Sequence, residues 1–327
     1  MNQFFTGKRV LVTGGAGFIG SHLVRELVLL GSQVTVLDDL SRGSLEKIAD
    51  VIDKISFYKV DLKNEKKAKK YFKNQEFVFN LAALNTGVDF DLGRTEVMFE
   101  ENMLLQMIPI RLAASAGVRR FIQISSASVY SRHAMEHIIP TPETADTADP
   151  EPSKLGYALA KQIGEKLAHW YYKNQGMETI SVRFINVYGE QDNFDEMGHF
   201  IPVMVRKFIQ ANDTVEVFGS GNQKRSFMYV LDAVSALLLL AQKGNPGEVY
   251  NVDSNDEKSV AEVVNNIARY FKKKKLKIFF DISKPEGSQR RMLDSTKIRK
   301  LGWKPKNTFH KSLQKTIESI VQMKKKN

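Results

Sequence analysis

The first 185 residues alternate short apolar runs with longer amphipathic segments, and this alternation limits the possible folds more than any other feature of the chain. The apolar runs are continuous, as in RVLVTG, QVTVLD and RFIQISS, so both faces of their sheet are expected to be covered. Strands in strict alternation with helices predict a parallel, doubly wound α/β sheet with right-handed crossovers. Helices are predicted over residues 18–30, 44–53, 64–73, 96–116 and 156–174.

After about residue 185 the pattern becomes irregular, with loops, short helices and a late strand in KIFFDI. We expect a smaller C-terminal α/β lobe over the carboxyl ends of the strands, where folds of this kind bind ligands. The predicted division assigns residues 1–184 plus about 226–252 to the Rossmann-type sheet domain, and 185–225 plus 253–327 to the smaller lobe. No linker rich in Pro, Gly or Ser separates the two parts, so they are expected to share an interface.

The composition excludes several classes of protein. The 327 residues include no cysteine, which excludes disulfides, thiol nucleophiles and cysteine-bearing zinc sites and fits a reducing compartment. The N-terminus lacks the pattern of a signal peptide, and the longest apolar run, AVSALLLLA, is far shorter than the roughly 20 residues of a membrane span. We therefore expect a cytoplasmic protein without a membrane partner, in which that run forms a buried helix.

The net charge of +11 comes from lysines that occur in blocks, such as KNEKKAKKYFK and KKKKLK. These blocks are scattered and lack the interleaved aromatic residues or recognition motif of a nucleic-acid site. We interpret them as solvated helix faces and predict no nucleic-acid partner. A positive field of this size would still help to recruit an anionic substrate.

The stretch VLVTGGAGFIGSHL places three glycines where a strand should become a helix. Glycine at Gly14, Gly17 and Gly20 permits a positive φ and lets the backbone approach a ligand closely. The helix that follows offers free N–H groups and a positive dipole end to a pyrophosphate. The stretch therefore predicts a dinucleotide site.

The second strand ends in an acidic residue, Asp38, about 20 positions after the glycines. Such a residue accepts hydrogen bonds from the adenosine ribose and repels a 2′-phosphate, so NAD is favoured over NADP, although nearby Arg42 softens that repulsion. Asp61 and Leu62 end the third strand and are predicted to meet the adenine edge.

The segment YALAK carries Tyr157 and Lys161 four residues apart, so both side chains lie on one side of a helix. A free tyrosine has a pKa of about 10 and is a weak base at neutral pH, but a nearby ammonium favours its phenolate. Ser126 lies at the end of the strand in ISSASVY and would bind the reacting oxygen. These residues predict removal of a proton from a sugar hydroxyl while hydride leaves the same carbon.

The motifs TGGAGFIG, NLAA, SSASVY, YALAK, RFINVYG and RSFMYVLDA occur in this order along nearly the whole chain. Together they resemble the extended short-chain dehydrogenase/reductase family, in its nucleotide-sugar epimerase/dehydratase branch. The resemblance implies an NAD-binding domain, a nucleotide-sugar-binding lobe, and a homodimer formed through a four-helix bundle by helices 96–116 and 156–174.

The resemblance also implies roles for individual residues. Those implied to bind the cofactor, besides Asp38, Asp61 and Leu62, are Gly14, Gly17, Phe18, Ile19, Leu81, Ala82, Ala83, Tyr157, Lys161 and Phe184. Ser126, Tyr157 and Lys161 match the catalytic triad. Those implied to contact the substrate are Ser128, Asn186, His199, Arg225 and Arg290.

Departures from the family pattern narrow the reaction. The 4,6-dehydratases carry Asp and Glu where this chain has Ala127 and Ser128, which argues against dehydration. The C-terminal half resembles the GDP-L-fucose synthases, which epimerise at C3 and C5 with a cysteine and a histidine. The histidine is kept as His199, but Ser128 stands at the cysteine position. SSASVY and LDDLSRG instead resemble 4-epimerases that hold NAD tightly.

Three hypotheses follow. The first is an NAD-dependent nucleotide-sugar C4 epimerase or 4-dehydrogenase with Tyr157 as base. The second is an epimerase/reductase of the fucose-synthase type that uses His199. The third is a non-catalytic dinucleotide-sensing protein, against which the presence of Tyr157 and Lys161 argues. His133 and His137 have no partner at metal spacing, so no metal site is predicted.

Overall fold

The computed structural model describes residues 3–85, 93–273, 275–284 and 287–326. The strands are β1 (Arg9–Thr13), β2 (Gln33–Asp38), β3 (Ile55–Lys59), β4 (Phe77–Asn80), β5 (Arg120–Ser126), β6 (Glu178–Phe184), β7 (Asn186–Tyr188), β8 (Thr214–Phe218), β9 (Lys224–Tyr229), β10 (Glu248–Val252), β11 (Glu257–Ser259), β12 (Lys277–Asp281) and β13 (Arg290–Arg291). The helices are α1 (Phe18–Leu29), α2 (Glu65–Ala68), α3 (Thr95–Ser115), α4 (Arg132–His137), α5 (Leu155–Gln175), α6 (Phe200–Gln210), α7 (Val230–Lys243), α8 (Val260–Phe271), α9 (Thr296–Lys300) and α10 (Phe309–Lys326).

A seven-stranded sheet has the order β3-β2-β1-β4-β5-β6-β10, and all its pairings are parallel. The doubly wound α/β fold is therefore confirmed. Strand order reverses between β1 and β4, because the chain first builds outward through β2 and β3 and then resumes on the other side of β1. In such sheets the crevice at the carboxyl ends of these two strands is where ligands bind.

The remaining strands form smaller sheets in the C-terminal half. β9 pairs with β7 and β13 in parallel and with β11 in the antiparallel sense, and β8 pairs with β12 in parallel. The late strand predicted in KIFFDI is β12. The division of the chain into two lobes at the boundaries given above remains a prediction.

Both faces of the large sheet are buried, as the continuous apolar runs indicate. Val10 and Val12 of β1 join the core cluster on one face, whereas Leu11 between them joins the cluster on the other face. Phe79 and Val78 of β4 divide in the same way. Successive side chains of a strand point to opposite faces, so only a strand covered on both sides is apolar at every position.

The predicted helix 44–53 is a 3-10 helix, Leu45–Lys54. Its buried apolar residues Ile48 and Val51 are three positions apart, which matches the three-residue turn of a 3-10 helix. Helix 64–73 is likewise divided into α2 and the 3-10 turn Lys69–Phe72. The other predicted helices form within about one residue of the expected bounds.

The run AVSALLLLA lies in α7, which is buried, as expected. Within the described ranges, no helix is both long and apolar enough to cross a membrane.

A buried ion pair ties α5 to the sheet. Arg183 of β6 donates from Nε and Nη2 to the two carboxylate oxygens of Glu165, at 2.8 and 2.6 Å, and both side chains are more than 90% buried. Glu165 also accepts from Ser125 of β5. This network fixes the position of α5, and with it the YALAK segment, relative to the carboxyl ends of β5 and β6.

Candidate active site

The loop between β1 and α1 has no room for side chains at its glycines. Gly14 has a φ of +66°, and a Cβ there would lie 2.9 Å from the backbone nitrogen of Ala82. A Cβ on Gly20 would lie 2.1 Å from the carbonyl oxygen of Gly14. Gly17 is the N-cap of α1 and provides no side-chain cap, so the helix end is open to a ligand. The loop is thus a tight cradle formed by backbone atoms, which is what a pyrophosphate requires.

Asp38 lies directly behind this cradle. Its Oδ2 accepts from the Ala16 nitrogen and its Oδ1 from the Leu40 nitrogen, each at 2.9 Å. Burial raises the pKa of this carboxyl, and the two backbone donors oppose that rise. Besides its predicted role at the adenosine ribose, Asp38 therefore holds the glycine loop in place.

The residues predicted to line the rest of the nucleotide site follow neighbouring strands. Leu81–Ala83 follow β4, and the Ala82 nitrogen lies where a Cβ on Gly14 would be 2.9 Å away. The Ala82 N–H donates to Thr13 Oγ1 at 3.3 Å. Leu62 is buried in the core cluster that contains Leu11, whereas Asp61 is exposed. Adenine contacts by these last two residues remain predictions.

Tyr157 and Lys161 are both buried on α5, and the Lys161 Nζ lies 5.5 Å from the centre of the Tyr157 ring. The ammonium donates to the Ile124 carbonyl of β5 at 2.8 Å. That carbonyl is two residues before Ser126, so the contact brings the lysine to the end of the strand that carries the serine. The structure therefore gathers Ser126, Tyr157 and Lys161 at one end of β5.

Burial lowers the pKa of Lys161 to about 7, and the Glu165 carboxylate opposes this shift. The charged form of Lys161 is therefore less favourable here than in water. Because burial disfavours the charged form, an anionic group placed beside Lys161 would raise its pKa strongly.

The turn after β5 carries Ala127 and Ser128. Ser126 Oγ accepts from the Ser128 nitrogen at 3.1 Å and donates to Ser128 Oγ at 3.2 Å. Ala127 is buried and carries no functional group. Neither a carboxylate nor a thiol is present at these two positions.

His199 forms a dyad that the sequence analysis missed. Its Nδ1 lies 3.1 Å from both carboxylate oxygens of Asp192, which is 98% buried, and its Nε2 lies 3.1 Å from Asn85 Nδ2. The Asp192 carboxylate raises the pKa of the histidine. The ring centre is 6.4 Å from that of Phe18, the first residue of α1. The sequence signal for this dyad is Asp192 in EQDNF, the acidic residue seven positions before His199.

The residues predicted to contact the substrate lie on several elements. Phe184, which is instead predicted to bind the cofactor, ends β6 directly opposite Ser126 of β5. Asn186 is exposed at the start of β7 and donates to the Ser226 carbonyl at 2.9 Å. Arg225 lies beside Gly287, where a Cβ would be 3.6 Å from its Nη2.

Arg290 is ion-paired with Glu257 at 2.6 Å and is half-exposed. Its neighbour Arg291 is more deeply buried and pairs with Glu151 at 2.6 Å, a contact that the sequence analysis did not anticipate. In the described part of the chain no group of three or more His, Asp or Glu residues is arranged to hold a metal ion.

A family model described as the NAD dependent epimerase/dehydratase family matches residues 10–253. The chain belongs to the NAD-dependent epimerase/dehydratase family. The family resemblance drawn from the motifs is thereby confirmed, and with it the use of NAD as cofactor.

Similar proteins differ in their reactions. Probable GDP-L-fucose synthase 1 of Oryza sativa subsp. japonica is 30% identical, with 98% of this chain and 95% of that protein covered. The solved UDP-glucose 4-epimerase of Thermotoga maritima, determined with UDP-glucose, has a TM-score of 0.86 at 27% identity and covers 96% of this chain and 99% of its own. The dTDP-glucose 4,6-dehydratase of Streptomyces venezuelae, determined with NAD, has a TM-score of 0.85 at 25% identity, with 96% and 97% covered. This member of the epimerase/dehydratase family is an NAD-dependent enzyme of nucleotide-sugar metabolism.

The residues present suit NAD. The glycine cradle admits backbone close to a pyrophosphate, and Asp38 provides a carboxylate beside the cradle at the end of β2. A dinucleotide bound at a strand-to-helix turn needs backbone N–H donors for its pyrophosphate and an acidic acceptor for its ribose, and the loop and Asp38 offer these groups.

Proposed function

We propose that the protein epimerises a nucleotide sugar at C4, or oxidises it there. The observation that carries the proposal is the gathering of Ser126, Tyr157 and Lys161 at the end of β5, next to a turn that offers only Ala127 and Ser128. These three residues are the groups needed to remove and return the proton of a hydroxyl on one carbon. At these two positions it lacks the acid for dehydration and the thiol for removal of a carbon-bound proton.

In this proposal Tyr157 accepts the proton of the C4 hydroxyl and later returns it. Ser126 binds the same oxygen, and Lys161 favours the phenolate by its charge. When bound, NAD supplies the acceptor and donor of hydride. Asn186, Arg225 and Arg290 are proposed to contact the nucleotide sugar, with the basic side chains at its phosphates.

A second candidate is a 4-keto-sugar epimerase/reductase of the fucose-synthase type. The specific observation in its favour is the His199–Asp192 dyad, because a histidine whose pKa is raised by a buried carboxylate is a stronger base. The rice relative named a probable GDP-L-fucose synthase supports the same candidate.

Heavy water separates the two candidates. UDP-, GDP-, CDP- and dTDP-sugars, and their 4-keto-6-deoxy derivatives with a reduced nicotinamide cofactor, are incubated with the enzyme in D₂O, and products are analysed by NMR and mass spectrometry. C4 epimerisation is expected to give a product without deuterium at C3, C4 or C5, because hydride held within the site does not mix with solvent. Deuterium at C3 or C5 would contradict the C4 proposal and show that His199 or another group acts as a carbon base.

We further propose that two copies pair through α3 and α5. Large apolar side chains are exposed on both helices: Val97, Leu104, Met107 and Trp170. Trp170 is 54% exposed, and burial of an aromatic of this size against a second copy would remove substantial apolar surface from water. The family resemblance implies the same pair of helices.

Replacing Trp170 by Glu is expected to shift the protein from dimer to monomer, since a charge would be buried at the proposed interface. Sedimentation velocity measures the shift. Phe279→Glu is the matched control, because Phe279 is equally exposed, at 54%, but belongs to β12, which pairs with β8 and is not part of the proposed interface. A wild-type protein that sediments as a monomer would contradict the proposal.

The cytoplasmic location remains a prediction.

A further inference from the structure

The loop that follows β2, residues 39–47, lies against the predicted ribose site. A Cβ on Gly43 would lie 2.8 Å from Asp38 Oδ1, and the Ser44 nitrogen donates to the Ala16 carbonyl at 3.0 Å. Arg42 immediately precedes Gly43. Its backbone is therefore next to the carboxylate that is expected to meet the adenosine ribose, within reach of any group on the ribose 2′ oxygen.

The guanidinium of Arg42 is paired with Asp195 of the segment 190–199. Nη1 lies 2.6 Å from Asp195 Oδ2 and Nη2 lies 3.3 Å from Asp195 Oδ1, so the pair is bidentate. The Arg42 side chain is only 20% exposed in this arrangement. Paired in this way, the arginine directs its charge and its planar donors toward the segment 190–199.

Lys47, the other cationic residue of the loop, is directed to the same segment. Its buried Nζ donates to Asn193 Oδ1 at 2.6 Å, and Asn193 Nδ2 donates back to the Arg42 carbonyl at 3.3 Å. Loop 39–47 and segment 190–199 are thus joined through two residues of the segment, Asp195 and Asn193, and Asn193 makes two of the hydrogen bonds. Only the Asp195 contact engages the guanidinium.

We propose that Asp195 is a specificity-determining residue that keeps Arg42 from binding a 2′-phosphate, and so favours NAD over NADP. Asp38 alone repels a 2′-phosphate, but a free guanidinium beside it would offset that repulsion by bidentate binding. Asp195, 153 residues further along the sequence, removes this compensation because it pairs with the Arg42 guanidinium. The proposal rests on the NAD preference attributed to Asp38 and is independent of which sugar carbon reacts.

Asp195→Asn tests the proposal. Asparagine removes the charge and keeps the Oδ1 acceptor that the Met197 nitrogen uses at 3.1 Å, so the local turn is retained. Dissociation constants for NAD⁺ and NADP⁺ are measured by calorimetry on protein freed of nucleotide, with circular dichroism as the check of folding. NADP⁺ affinity is expected to rise by about 2- to 5-fold, because a partly exposed ion pair holds Arg42 only weakly. NAD⁺ affinity is expected to change less.

Two further variants show whether an effect comes from freeing the Arg42 guanidinium or from loosening the loop. Asn193→Ala breaks the other contact between the loops without removing the partner of the guanidinium, and is expected to leave the ratio of the two affinities unchanged. Arg42→Ala added to Asp195→Asn is expected to abolish the gain in NADP⁺ affinity.

The outcomes are distinguishable. If the wild type prefers NAD⁺ and Asp195→Asn leaves the ratio unchanged, or if the gain persists without Arg42, the role of Asp195 is wrong and that of Asp38 stands. If the wild type binds both nucleotides equally, the preference attributed to Asp38 fails and the proposal fails with it.

Discussion

Tyr157→Phe is expected to lower kcat by at least the ~100-fold typical of losing a general base, while the protein stays folded. The substitution removes one oxygen from a buried ring and leaves the aromatic face next to the Lys161 ammonium. Substrate binding is expected to change little, because the phenol acts mainly as the proton moves. The measurement is steady-state turnover of whichever nucleotide sugar the screen identifies.

Tyr171→Phe, further along the same helix, is the matched control and is expected to retain full activity. Thermal unfolding of both variants checks that neither has lost the fold. Wild-type turnover by Tyr157→Phe would show that another group takes the hydroxyl proton, and the mechanism proposed above would be wrong.

Gly20→Ala is expected to weaken NAD binding by about 10- to 100-fold, the range that corresponds to the cost of forcing an extra methyl group into a packed site. The new Cβ would lie 2.1 Å from the Gly14 carbonyl oxygen and 2.8 Å from the Gly15 Cα. These are backbone atoms that no side-chain rotation can move, so the loop itself must shift. Calorimetry with NAD⁺, and the rise in Tm that NAD⁺ produces, measure the loss.

Gly176→Ala separates this steric effect from the general cost of replacing a glycine. Gly176 ends α5 with a φ of +71° and has open space around it, so alanine there strains the backbone without contacting any neighbour. Stability is expected to fall by about 1 kcal/mol and NAD affinity to stay unchanged. Equal NAD affinity in Gly20→Ala and the wild type would show that the cradle does not bind the nucleotide.

Much of the fold was predictable because its signals are local. The helix predicted over 96–116 is Thr95–Ser115, and the one predicted over 156–174 is Leu155–Gln175. Apolar periodicity and a run of good helix formers act within one segment, so they can be read without knowing the neighbours. The helix predicted over 44–53 is the 3-10 helix Leu45–Lys54, and the sequence does not give its type because two apolar residues three apart suit both geometries.

The site was predictable in part. Tyr157 and Lys161 lie on one side of a helix in any fold that keeps that helix. Glycines between a strand and a helix favour a turn that can bind a pyrophosphate. The sequence therefore determined the fold class, the dinucleotide cradle and the pair of residues proposed to move the proton.

Only the tertiary structure decided which charges meet. Asp192 engages His199, Asp195 engages Arg42, and Glu165 engages Arg183. Whether a charged side chain is paired, and with which residue, depends on how separate elements pack together. The periodicity of the sequence therefore does not predict these ion pairs. The same holds for Lys161, whose pKa is lowered because α5 is pressed onto β5. Local patterns specified the elements, whereas burial and long-range contacts set the electrostatics on which the reaction depends.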